Sequence, residues 1–139
     1  MMKGLVSVLA VVAAIFLFFV VGAENVSEKF ENYIQEKVTD EDEKQHLKVQ
    51  NIRYVYLAGK YERAEKLIKE FLDKYDRYDE YSEDDPLGDR VAFMHFMLGQ
   101  VYDRQIRNVK AKFQYKKYIE RFPNAENVEK AKKRIREIL

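Results

Sequence analysis

Hydrophobic residues recur three and four positions apart through most of this chain, which is the spacing of an amphipathic helix. Glycine and proline interrupt the pattern at a few places only. No run of alternating apolar and polar residues predicts a strand, so the predicted fold class is all-α. The pattern predicts a helix over 42–58, a helix over 61–75, an antiparallel pair of helices within 92–125 and a last helix over 125–139.

The first 23 residues differ from the rest. Residues 5–21 form an uncharged run of 17, apolar except for Ser7, and Lys3 is the only charge before it. A secretory signal has this order, but the run is longer than the usual core of a cleaved signal and close to the shortest bilayer span. We therefore expect residues 1–23 to be a cleaved signal peptide or a retained membrane anchor. The remainder is then exported, periplasmic or facing the exterior.

The pattern of residues 24–41 predicts a short amphipathic helix and a linker. Asn25 and Glu28 have the spacing of a capping box at its start. The helix either covers the end of the helical domain or lies on a membrane surface, and its acidic character favours the first interpretation. Its predicted apolar face consists of Val26, Phe30, Tyr33, Ile34 and Val38.

The most regular stretch is 92–125. Gly99 and Ala111 are small enough to let two antiparallel helices approach, and Pro123 ends the second helix because it lacks an N–H. Larger side chains are expected to fill the space around this contact. They are Leu98, Tyr102, Tyr115 and Tyr118.

A weaker copy of this stretch precedes it. The sequences AEKLIKEFLDKY, from Ala64, and AKFQYKKYIERF, from Ala111, align without gaps. Gly59 and Tyr61 match a turn glycine and an aromatic position, whereas Ile52 replaces Gly99 and predicts looser packing. The predicted domain, 42–139, comprises repeat 1 at 45–78, an acidic loop at 79–91, repeat 2 at 92–125 and a capping helix at 125–139.

This spacing resembles the tetratricopeptide repeat. The phrase FPNAENVEKA, beginning at Phe122, is similar to a junction found in exported bacterial outer-membrane-assembly lipoproteins and periplasmic scaffolds. The resemblance implies a short α-solenoid that binds other proteins through a concave groove. Because the chain has no cysteine, it cannot carry the lipid that holds those lipoproteins to a membrane.

The resemblance also implies which side chains line the groove. Val49 and Arg53 replace the residues with which some relatives clamp a terminal carboxylate, so we expect a helix or an extended peptide of an envelope or secreted protein instead. Tyr56 and Phe93 are the expected anchors together with Phe96, and Arg53 is expected to select an acidic group. The full set is His46, Val49, Arg53, Tyr56, Phe93, Phe96, Gln100 and Asp103.

Few residues are suited to catalysis. The two histidines, His46 and His95, have no cysteine to pair with, and His95 is expected in the core. We predict a non-catalytic protein without cofactor or metal, in which the acidic loop supplies helix caps rather than a calcium site. Two tyrosines in or beside that loop, Tyr78 and Tyr81, are candidate partner anchors or partly covered loop residues. The alternative is an accessory subunit or enzyme component that uses the acidic loop and His46.

Charge is divided unevenly along the chain. Residues 107–139 hold 11 Lys or Arg against four Glu, a balance of +7, while 24–106 carries −7. Nucleic acid is not an expected partner, because the aromatic residues near the C-terminus, Phe113 among them, are expected on the buried face. A second alternative is self-assembly through the oppositely charged portions, which would give a homo-oligomer.

Overall fold

The computed structural model describes residues 21–77, 81–82 and 85–139, together with 10, 12, 13, 15–17 and 19. This part of the chain is all-helical, and no strand occurs in it, as predicted. Six helices follow Gly22 in this part of the chain, namely α1 (Ala23–Lys37), α2 (Glu41–Leu57), α3 (Tyr61–Tyr75), α4 (Pro86–Arg104), α5 (Asn108–Arg121) and α6 (Val128–Glu137).

Two aspartates cap the helices that follow the acidic segments. Asp40 Oδ1 accepts a hydrogen bond from the Glu43 N–H at 2.8 Å, which starts α2. Asp85 Oδ1 accepts one from the Leu87 N–H at 2.9 Å, and Pro86 fills the first turn of α4. The predicted loop over 79–91 was therefore wrong at its C-terminal boundary, because this cap starts α4 at Pro86.

Helix α1 packs against α2, in agreement with the interpretation that it covers the helical domain. It starts at Ala23 after Gly22 without a side-chain cap, so the predicted capping box does not form. Its buried face includes Ser27 and Ile34, whereas Val26 and Tyr33 are exposed. The predicted apolar face was wrong for these two positions, because polar contacts to α2 set the rotation of the helix.

Two turns of the same kind connect α2 to α3 and α4 to α5. In the first, the N–H of Lys60 bonds to Val55 O at 2.9 Å and the N–H of Gly59 to Tyr56 O at 3.0 Å. The second repeats this pattern, with Arg107 N–H bonding to Tyr102 O at 2.9 Å and Ile106 N–H to Asp103 O at 3.0 Å. Both are Schellman motifs, in which one residue adopts the left-handed conformation.

The first helices of the two pairs lie side by side and run in the same direction. Near their starts Arg90 is 2.6 Å from Asp42, and near their ends Arg104 Nε donates to Tyr56 Oη at 3.4 Å. Helix α6 continues this row, because Arg134 near its end pairs with Asp103 near the end of α4. The row α2, α4, α6 forms one face of the domain, and α3 and α5 lie behind it.

A contiguous core joins α2 to α6. It contains Leu98, Tyr102, Ala111, Tyr115 and Tyr118, as predicted. Ala64 is buried in it as well, whereas Tyr61 is half-buried at its edge.

Two predictions for α5 and α6 were wrong. Phe113 is exposed on the outer side of α5 and not on the buried face. Helix α6 begins at Val128 after Asn127, later than the predicted start at 125. The chain instead makes turns after Pro123, with Ala125 N–H bonding to Phe122 O at 3.1 Å.

The N-terminal segment is described only in part. Its described residues, 10, 12, 13, 15–17, 19 and 21, are helical. Within the described residues, no helix combines the length and the apolar character that crossing a bilayer requires.

Candidate functional site: a groove along α2, α4 and α6

A hollow of about 610 Å³ lies between α4, α6 and the end of α2. One wall carries aromatic side chains together with Gln100, Asp103 and Arg104, and the α6 wall carries three cations and Glu137. A volume of this size accommodates one or two side chains of a peptide. Its lining consists of Tyr56, Phe96, Gln100, Asp103, Arg104, Tyr115, Lys130, Lys133, Arg134 and Glu137.

Four of the eight predicted groove residues meet in this hollow. Tyr56, Gln100 and Asp103 are partly exposed there. Phe96 lines it as well but is only 4% exposed, because its ring packs within 6 Å of Tyr115 and Tyr118. Phe96 is thus a core residue whose edge reaches the groove, and the expectation of a surface anchor was wrong for it.

The other four lie elsewhere along the same row of helices. Phe93 is half-buried in a second hollow of about 340 Å³, and the Arg53 guanidinium lies 5.9 Å from the centre of its ring. Val49 is buried in the core and cannot contact a partner in this conformation. His46 is exposed, one helical turn from Asp42. The structure therefore brings Arg53 and Phe93 together and buries Val49 in the core.

Charges on the α6 wall are partly neutralised. Arg134 binds Asp103 through two of its three guanidinium nitrogens, Nε at 2.8 Å from Oδ2 and Nη2 at 2.9 Å from Oδ1. It also donates to Glu137 at 2.7 Å, and these two carboxylates raise the pKa of Arg134. Burial and the charge of Asp103 raise the pKa of Tyr115, which keeps its hydroxyl neutral.

Two cations beside the groove lack such partners. In the described part of the chain, no carboxylate lies within ion-pair distance of Lys130 or Arg53. Lys133 is within 3.8 Å of Glu137 but is largely exposed. The hollow consequently combines aromatic surface with uncompensated positive charge, which suits an acidic peptide.

The prediction of groove residues missed Arg104 and the α6 side chains Lys130, Lys133 and Arg134. The basic stripe of α6 was visible in the sequence, but nothing showed that α6 lies beside α4. The signal available was the i, i+3, i+4 spacing of Lys130, Lys133 and Arg134, which puts them on one helix face.

A buried polar cluster joins the two helix pairs behind the groove. Asp76, at the end of α3, accepts from Arg121 at 2.5 and 2.6 Å, and its side chain is only 3% exposed. His95 Nε2 lies 2.8 Å from Asp76 Oδ2, and Gln114 Nε2 lies 3.0 Å from His95 Nδ1. Because the Gln114 amide also donates to His95 O, Nδ1 is the acceptor and Nε2–H donates to Asp76.

This cluster holds His95 as a neutral side chain. Burial lowers the pKa of His95, against the opposing effect of Asp76, and Arg121 lowers it further. Both ring nitrogens are engaged, so His95 links α3, α4 and α5 rather than facing solvent. The prediction that His95 lies in the core was confirmed, although its contacts there are polar.

The acidic segment contributes caps and packing in its described part. Tyr81 packs against Gly88, and its hydroxyl accepts a hydrogen bond from the Arg77 N–H at 3.0 Å. Among the described residues, no three His, Asp or Glu side chains gather as a metal ion requires. Tyr78 lies outside the described residues.

No family model, characterised protein or solved structure matches the chain.

Proposed function

We propose that this protein is a non-catalytic interaction scaffold of the cell envelope, with a short tetratricopeptide-like solenoid that binds an acidic peptide or helix. The observation that carries the proposal is the groove itself, where Tyr56 and Gln100 face the unpaired Lys130 across a hollow of about 610 Å³. The parallel row α2, α4, α6 and the two matching turns support the assignment to a repeat fold. The N-terminal apolar segment supports export, with residues 5–21 retained as the anchor.

The groove contains two contacts suited to different parts of a ligand. The rings of Tyr56 and Phe93 provide apolar surface, and aromatic anchors of this kind often contribute about 2 kcal/mol or more to binding. Arg53 provides charge beside Phe93, and Lys130 provides charge in the hollow that Tyr56 lines. An extended or helical segment with an acidic residue beside an apolar one satisfies both contacts.

The test is a selection of peptides from a random library on the intact protein, followed by affinity measurement with one selected peptide. Tyr56→Ala with Phe93→Ala should weaken binding by about 30-fold or more, which corresponds to the anchor energy above. Tyr33→Ala is the matched control, because Tyr33 is an exposed tyrosine on α1, outside the groove. Circular dichroism establishes that the variants remain folded.

Charge reversal tests the acidic preference separately. Lys130→Glu should weaken binding and Lys132→Glu should not, because Lys132 does not line the hollow and pairs with Glu129. Equal affinities for the parent, the aromatic variant and Lys130→Glu would show that the groove is not the binding surface.

A further inference from the structure

Apolar side chains are exposed at the end of the domain that carries the two turns. Ile106 is 80% and Val109 84% exposed, and Phe113 continues the same face of α5. Leu57, the last residue of α2, is exposed at the neighbouring turn. Single exposed apolar residues are ordinary, but these four, here called the turn end, all belong to the two turns or to the helices that end and begin there.

The backbone at Ile106 is unfavourable for its side chain. Its φ of 58° is in the left-handed region, where a β-branched residue is a genuine outlier. Its side chain is not part of the core, so no buried contact offsets the strain. A residue that violates a local rule without a packing reason points to a role at the surface.

The N-terminal segment leaves the domain at this same end. Helix α1 runs antiparallel to α2, since Asn51 binds Ser27 O and the ring of Phe19 contacts that of Tyr54 at 5.0 Å. Moving toward the N-terminus thus moves toward the end of α2. The side chains that follow in this direction are exposed and apolar, namely Leu17, Phe16, Ile15 and Val12.

Cations flank the apolar face of α5. Lys110 has no carboxylate within ion-pair distance in the described residues, and Lys117 lies 5.7 Å from the ring of Phe113. Arg107 is paired with Glu65 at 2.7 Å. Exposed apolar side chains bordered by Lys and Arg are typical of surfaces that bind anionic membranes.

We propose that the turn end rests on an anionic lipid surface, the same membrane that the N-terminal anchor enters. Ile106, Val109 and Phe113 enter the headgroup region, and Lys110 and Lys117 contact acidic headgroups. In this orientation the two turns face the membrane and the helices extend away from it. The groove stays accessible to a ligand. The inference rests on the retained anchor of the proposed function and is independent of peptide binding by the groove.

The full chain contains no cysteine, which permits single-site labelling. An environment-sensitive fluorophore is attached at Val109→Cys, and at Asn124→Cys as the control beyond the other end of α5. A third label at Val12→Cys reports the anchor. The labelled proteins are reconstituted in vesicles of phosphatidylglycerol and phosphatidylcholine. The nitroxide is on the lipid headgroup for the labels at 109 and 124, and on the acyl chain for the label at 12, which lies midway along the anchor.

The proposal predicts severalfold stronger nitroxide quenching at 109 than at 124, together with quenching at 12. Lys110→Glu with Lys117→Glu should reduce the quenching at 109 and leave that at 12 unchanged. Quenching at 12 with equal signals at 109 and 124 would overturn the lipid contact and leave the anchor intact. Insensitivity to the two charge reversals would overturn the anionic surface. A signal at 109 that follows the protein-to-lipid ratio, and not the nitroxide content, would assign the turn end to a second copy of the chain and overturn the proposal.

Discussion

Gly99 of α4 lies against the ring of Tyr115, whereas the corresponding positions of the first helix pair hold Ile52 and Ile68. A Cβ atom at Gly99 would stand 2.6 Å from a carbon of the Tyr115 ring. Ile52 and Ile68 are both buried, so the first pair fills this space with two medium side chains. The two helices of the first pair contact each other less extensively than those of the second. The large Ile52 side chain predicted this looser packing. The two helix pairs thus fill the same space in two ways.

The two pairs also end differently. Pro123 follows α5 and stops it, whereas the aligned position after α3 is Asp76. The Asp76 side chain turns inward to His95 and Arg121, which belong to the second pair. The aligned position thus only ends a helix in the second pair, whereas in the first pair it connects the two pairs.

The largest expected effect is at Gly99. Gly99→Leu should lower the free energy of unfolding by about 1–3 kcal/mol, because the added side chain would clash with the ring of Tyr115, which is 1% exposed. Ala111→Trp should cause a similar loss, since Ala111 is fully buried. Denaturant unfolding measures both, and unchanged midpoints would contradict the assignment of this helix pair.

A double variant sharpens the comparison. Gly99→Ile combined with Tyr115→Ile gives the second pair the side chains of the first, so the two losses should be less than additive. Gly99→Ile alone is the reference. A loss equal to the sum of the single variants would show that the two positions do not compensate each other.

An intermediate effect is expected at the junction of the two pairs and is seen as a pH dependence. Because the pKa of folded His95 lies below its ordinary value of 6.5, the unfolded chain takes up the proton first. The free energy of unfolding should therefore be greatest above pH 6.5 and fall as the pH drops below it. Chemical denaturation between pH 5 and 8 measures this slope.

The control for this prediction is the other histidine. His95→Phe should abolish the part of the slope that this site causes, and His46→Gln should leave it, because His46 is exposed. A slope that survives His95→Phe and disappears in His46→Gln would show that His46, and not His95, causes the pH dependence.

The smallest effect is expected at the turns, where the pairs are most alike. Ile106 has φ 58° and Gly59 φ 76° at aligned positions. Ile106→Gly should stabilise the protein by about 0.5–1 kcal/mol, since relief of the left-handed strain exceeds the entropy that glycine adds to the unfolded chain. Gly59→Ala, the reciprocal change, should destabilise it by about 1 kcal/mol. A destabilised Ile106→Gly variant would contradict this account of the turn.

The same substitution would separate stability from surface function. If the turn end contacts lipid, Ile106→Gly should weaken membrane contact while it stabilises the fold in water. A gain in stability with a loss of function is the usual consequence of relieving strain at a functional position.

The sequence alone determined the helices and much of the core. Tyr61–Tyr75 was predicted with its observed bounds, because its apolar positions repeat at helical spacing between a glycine turn and an acidic segment. The packing of Gly99, Ala111 and Tyr115 followed from side-chain size. These properties are local or depend on one contact between neighbouring helices, so residue spacing is enough to predict them.

Tertiary structure decided the site. The α6 cations reach the groove only because α6 lies parallel to α4, and their periodicity could not specify which helix they would face. The exposure of Val26, Tyr33 and Phe113 and the burial of Val49 and Phe96 likewise depend on how far each helix rotates about its axis. Polar contacts across the chain, such as Ser27 with Asn51 and Asp76 with His95, set those rotations. A helical pattern shows which residues share a face, but only contacts between distant segments determine what that face meets.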